Sequence, residues 1–206
     1  MNLEDLLQGP MKNILVDQLT STLGVNEPAK TSSAVDSTIS VLLNAVAKNV
    51  AKPEGANAFI NALNRDHDGS VVDNLTDFLG GQFQPENSSM TNGAGILKHL
   101  LGGKQESAAQ TIGQQSGMDA GTVMKLMSTL APILMGVLGK ANQQSAGQPS
   151  GGGLIDMVLN STKKVNQQTN QGGLLTQIFD KDGDGSIMDD VAGMGFKALL
   201  GRLFKR

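Results

Sequence analysis

Two short stretches carry side chains that could do chemistry together. In DKDGDGSIMDDV, residues 180–191, Asp180, Asp182 and Asp184 alternate along the chain, followed by Ser186 and Asp189. In NRDHDGSVVDNL, residues 64–75, Asn64, Asp66, Asp68, Ser70 and Asp73 stand in the same places. The second-position residues are Lys181 and Arg65, and the turn glycines are Gly185 and Gly69. Oxygen donors at alternate positions of a tight loop converge on one point, while the residues between them face solvent. A hard cation such as calcium takes about six to eight oxygen ligands and suits such a loop, whereas magnesium prefers a stiff octahedral site with several waters.

Up to their eighth position both stretches follow an EF-hand loop. Oxygens fall at 1, 3 and 5, glycine at 6, Ser186 or Ser70 at 7, and the apolar Ile187 or Val71 at 8. They depart at position 12, where Val191 and Leu75 stand in place of a bidentate carboxylate. The nearest acids are Asp189 and Asp73 at position 10. The sequence therefore predicts calcium at 180–190 through Asp180, Asp182, Asp184, Ser186 and Asp189. A second calcium is expected at 64–73 through Asn64, Asp66, Asp68, Ser70 and Asp73. The second loop is the more acidic, with five Asp against Lys181 over 180–190, a charge of −4 (−5 + 1). Over 64–74, Asp66, Asp68 and Asp73 stand against Arg65, a charge of −2 (−3 + 1). A bland alternative exists for the last acid of each loop. Ser70 and Asp73, like Ser186 and Asp189, fit the N-cap and third position of a short helix, where a carboxylate complements the helix terminus.

The elements that must position these loops are helical. Val35, Ile39, Leu42, Leu43, Val46 and Val50 recur at helical spacing, as do Val123, Met127, Leu130, Leu134 and Val137, with a kink expected at Pro132. Alternating β-branched runs bounded by hairpin dipeptides are absent. Gly24 and Gly117 each follow a helical run and precede an apolar residue and a capping residue, Val25-Asn26 and Met118-Asp119. That is the grammar of a left-handed helix stop and a new N-cap. Residues 81–92 and 141–153 read as polar, unpacked connections, the latter a Gly/Gln/Ser linker. A short helix is expected from Leu154 to Leu159, then another weak stretch at 161–173.

The chain also repeats itself. STLGVN and QQSGMD align at an offset of 93 (117 − 24), VLLNAVAK and ILMGVLGK at 92 (133 − 41), and the two acidic loops at 116 (180 − 64). The expected architecture is all-α: an array of short helices from an internal duplication, with EF-hand-like loops between them. The units are 1–80 with loop 64–75, 93–140, a linker at 141–173 with its short helix, and 174–206 with loop 180–191 and a C-terminal helix.

Composition limits the function. The chain has 206 residues and a net charge of −3, with no Trp, no Tyr and no Cys. Disulfides, thiolate metal sites and cysteine nucleophiles are excluded. The charge balance and lack of large rings speak against nucleic acid. The two histidines, His67 at outward-facing loop position 4 and His99, form no catalytic or metal-binding spacing, and no small-molecule substrate site is nominated. Met124, Met127 and Met135 read as core. Glu4 and Asp5 sit where a signal peptide would be basic, and no run approaches the roughly 18 apolar residues of a membrane span, so a cytoplasmic protein is expected. In the tail 194–206, Phe196, Leu199, Leu200, Leu203 and Phe204 form a stripe flanked by Lys197, Arg202, Lys205 and Arg206. It would pack as a terminal helix or dock on a protein partner or membrane surface.

The segments from LGVNEPAKTSS to FINAL, GAGILKHLLGGK, and SGMDAGTVMKLMSTLAPILMGVLGK resemble the bacterial domain-of-unknown-function family 937 over roughly residues 10–140. The resemblance implies an all-α bacterial protein and transfers no catalytic residue. The expected function is a non-enzymatic protein that binds calcium structurally through its loops. The alternative is a metal-free interaction or scaffold module that docks through its basic tail.

Overall fold

The computed structural model describes residues 9–144, 152–168 and 172–179. Among these residues the chain is helical and has no strand. The α-helices are α1 (Pro10–Leu23), α2 (Pro28–Val50), α3 (Pro53–Asp66), α4 (Ser70–Asp73), α5 (Leu75–Leu79), α6 (Gly93–Leu101), α7 (Gln105–Ser116), α8 (Ala120–Gln144), α9 (Gly152–Gln168) and α10 (Gly172–Phe179). Two 3-10 turns, Ser88–Thr91 and Gly102–Lys104, flank α6.

Local chemistry sets the boundaries. The helices α1, α2 and α3 each open with proline in the first turn, where its fixed φ suits the helix and its missing N–H costs nothing. Gly24 and Gly117 end α1 and α7 in the left-handed conformation, at φ 66° and 72°. Behind each, the next residue's N–H returns to a helix carbonyl: Val25 to Thr20 and Met118 to Gly113, both at 3.0 Å. Asp119 caps α8 by accepting from the Thr122 N–H at 2.8 Å. The matching expectation for Asn26 is corrected. Pro28 holds the first-turn position and Glu27 stands before it in extended backbone, so the helix starts one residue later.

The long helices α2 and α8 form the centre. They pack on each other; α7 and α9 also lie on α2, and α3, α6 and α7 lie on α8. Both apolar stripes foreseen from the spacing are buried. The helix α2 goes further: Thr31, Ser37, Thr38 and Ser40 are all fully buried. These small side chains let neighbouring helices close in on more than one face of α2. Pro132 lies inside a continuous α8. It lacks the N–H that the Ser128 carbonyl would otherwise receive. Gly93, at the start of α6, sits so close to that carbonyl that a Cβ there would fall 1.7 Å from the Ser128 oxygen.

Three other expectations change. The stretch 81–92 is anchored rather than loose, because Met90 is buried in the 3-10 turn and the Asn87 side chain accepts from the Ser89 N–H. The helix begun near Leu154 runs on to Gln168, with Val165 buried at the end of its apolar stripe. By length and mean hydropathy α8 could cross a membrane, which counting uninterrupted apolar residues missed. Of that apolar window, 67% is buried inside the protein.

Candidate functional site around the acidic loop

Loop 64–73 joins α3 to α4 and lies against the C-terminal half of α8. Glycine makes this seat. At Gly139 a Cβ would lie 1.7 Å from the His67 carbonyl oxygen, and at Gly136 it would meet a Val72 methyl at 2.9 Å. On the loop side Gly69, at φ 96°, takes the turn that glycine favours, and the stem of Lys140 covers its Cα face. Val71 is buried, as its apolar place in the pattern requires.

The five expected metal-binding side chains of this loop are largely engaged with protein groups. Asn64 Oδ1 accepts from Asn142 Nδ2 at 2.7 Å. Asp66 accepts from Arg65 Nε and Nη2 at 3.0 and 2.6 Å, and from Asn87 Nδ2 at 2.9 Å. Asp68 Oδ1 accepts the Ser70 N–H at 2.9 Å. Asp73 pairs with the ammonium of Lys140. Asp73 therefore turns away from the end of its own helix and toward a lysine 67 residues further on. Ser70 is already the first helical residue, with Gly69 in the cap position. Among the described residues no group of three or more His, Asp or Glu is arranged to hold a metal ion. Asp180, Asp182, Asp184, Ser186 and Asp189, like the basic tail 194–206, lie outside the described residues.

Lys140, Asn142 and Asn87 are the partners that sequence reasoning missed. The segments VLLNAVAK and ILMGVLGK both end in lysine, and that shared residue was the available signal for Lys140. His67 also departs from expectation. At 6% exposure it is buried, because the loop presses its backbone onto Gly139 and carries the ring inward with it. His99 lies on an exposed face of α6.

The charges follow from these contacts. Hydrogen bonding from Arg65 holds the Asp66 carboxyl below the usual carboxylate range, and the Ser70 N–H does the same for Asp68. Burial pushes the His67 imidazole down. A histidine depressed in the folded state takes its proton first in the unfolded chain, near its ordinary pKa of about 6.5. Stability should therefore fall as pH drops through about 6.5, until the folded ring itself charges. A second loss should follow below about 3.9, as protonation removes the stability that the depressed aspartates, Asp66, Asp68 and the helix-capping Asp119, supply at higher pH. Urea midpoints measured from about pH 8 to 3 should show both steps, and His67→Gln should flatten the upper one. A wild-type midpoint constant from about pH 7.5 to 5 would show that His67 is not desolvated.

Comparison with protein families matches residues 5–141 to a family described as bacterial protein of unknown function, DUF937. The chain belongs to this family. The DUF937 match takes in loop 64–73, its seat on α8 and Lys140, and stops before the second acidic loop. No curated protein and no solved structure matches the chain.

Proposed function

We propose that this DUF937 protein is a non-enzymatic helical module whose two acidic loops are each held by a cation. In loop 64–73 that cation is the Lys140 ammonium; in loop 180–190 it is calcium. The observation that carries the reading is the Lys140–Asp73 pair, which puts an intramolecular cation against the last acid of the first loop. It lowers the net charge of that loop from −2 to −1 (−2 + 1), with Asn142 and Asn87 occupying further oxygens.

The internal duplication supports the same scheme. Lys48 aligns with Lys140 at the offset of 92 (140 − 48). Its Nζ lies 5.9 Å from the ring centroid of Phe179, the residue just before the second loop. Lys48 thus lies beside the residue that precedes the second loop, which is the place the proposal requires of it. One lysine leaves 180–190 at −3 (−4 + 1), a charge that a divalent ion would offset much better than a second ammonium could.

Calorimetric titration of the full chain with calcium tests this. One site is expected in the wild type, none in the Asp182→Ala, Asp184→Ala double variant, and one in the Asp66→Ala, Asp68→Ala double variant. No heat at about millimolar calcium, the weak end of known protein calcium sites, would sink the reading. The paired carboxylates of loop 64–73 also favour a second reading, a metal-free module that docks through 194–206. Its membrane form requires liposome co-sedimentation to drop when 194–206 is removed; equal pelleting rejects it.

A further inference from the structure

Behind the acidic loop, between α3 and α6, lies a half-open cleft of about 340 Å³. That is the size of a small-molecule site. Its apolar wall includes Phe59, Ile96 and Met135, each at most 9% exposed. At its polar end stand Arg65, Asp66 and His67.

The polar end has two properties that together define an occupant. His67 lines the cleft, yet its Nδ1 is buried with no hydrogen-bond partner. Buried polar atoms are nearly always satisfied, and an orphan costs about 1–3 kcal/mol. Nδ1 has no surface of its own on the cleft, so a partner from outside the chain supplies that bond once the ring turns toward the opening. The charges beside it are already cancelled. Arg65 grips Asp66 through Nε and Nη2, and Asn87 takes a further bond. With those oxygens engaged, Asp66 is poorly placed to receive a metal or an amine. A wall without net charge also does not repay the cost of stripping water from an ion.

We propose that this cleft binds an uncharged small molecule with a compact apolar body, ring or short chain, and one hydroxyl or amide group that hydrogen-bonds the His67 imidazole. The apolar body covers Phe59, Ile96 and Met135, and the polar group meets the unsatisfied ring. The site is independent of any calcium at 180–190.

Phenol is a suitable probe, with toluene as the analogue lacking a donor and benzoate as the charged one. The full chain with 15N-labelled histidine shows both histidines, and His99→Gln serves only to assign the His67 resonances, because His99 also lines the cleft. Phenol should move the His67 ring-nitrogen resonances saturably. Benzoate should bind at least about tenfold more weakly. Toluene should bind without the hydrogen-bond shift. Ala62→Leu fills the cleft from the half-buried Ala62 on α3 and keeps a good helix former, so it should abolish the phenol response while circular dichroism and Tm remain those of a folded protein. If phenol leaves His67 unmoved, if benzoate binds as tightly, or if the response survives in folded Ala62→Leu, the proposal is overturned. Should Ala62→Leu fail to fold, the phenol and benzoate titrations of the parent decide by the same criteria.

Discussion

Gly139→Ala should destabilise the protein by about 3 kcal/mol and displace the acidic loop from α8. Propensity alone argues the opposite, since alanine in place of an interior helical glycine is worth about 1 kcal/mol in favour of folding. The contact reverses the sign. The new Cβ would lie 1.7 Å from the His67 oxygen and 2.9 Å from its carbonyl carbon. These are backbone atoms, which cannot rotate away as a flexible side chain would. The loop must lift, and in doing so it loses the Lys140–Asp73 pair and the Asn142–Asn64 bond and exposes His67 to water. Chemical denaturation of the variant reads the stability. The His67 ring resonances, returning toward an ordinary histidine titration, read the displacement. Gly121→Ala in the same helix is the control: there a Cβ meets only the Asp119 carboxylate, at 3.2 Å, and the change should stay within about 1 kcal/mol. Equal stability of wild type and Gly139→Ala would mean that the loop is not seated on α8 as described.

Leu130→Ala should cost about 3–4 kcal/mol, enough to lower Tm by roughly 6–16 °C in a domain of this size. Leu130 is 1% exposed, in the middle of α8, among the largest fully buried side chains. Neighbouring core positions such as Leu126, Met127 and Leu134 come from the same helix, and α2, α3, α6 and α7 all pack on it, so few elements can move in to refill the space. The gain in helix propensity from leucine to alanine is a few tenths of a kcal/mol at most and does not offset a cavity. Calorimetry provides the measurement. A loss under about 1 kcal/mol would mean that α8 is not the centre of a close-packed core.

Much of this protein is legible from local chemistry. The spacing of Val35, Ile39, Leu42 and Val46 places the buried face of α2, and Gly24 and Gly117 mark two helix stops. The pattern Asp-Gly-Ser-Val at 68–71 yields a loop with a positive-φ glycine, a carboxylate over the Ser70 N–H, and a buried valine. Each depends on residues within one or two turns of one another, where periodicity, capping and backbone sterics act. The reading failed where a distant residue decides. Residues 81–92 look unpacked from composition, yet Met90 finds the core and Asn87 reaches Asp66, 21 residues away.

By itself the sequence determined an all-α chain, the faces of its two long helices and the backbone turn of its first acidic loop. Only the tertiary structure decided what those acids meet. Asp73 found Lys140 and Asn64 found Asn142, across separations of 67 and 78 residues, because Gly136 and Gly139 let the loop lie directly on α8. The same close approach buried His67 beside the cleft that it lines. A carboxylate's charge is written in one letter of the sequence, but its partner depends on which helix passes within a few ångströms, and that is settled by packing.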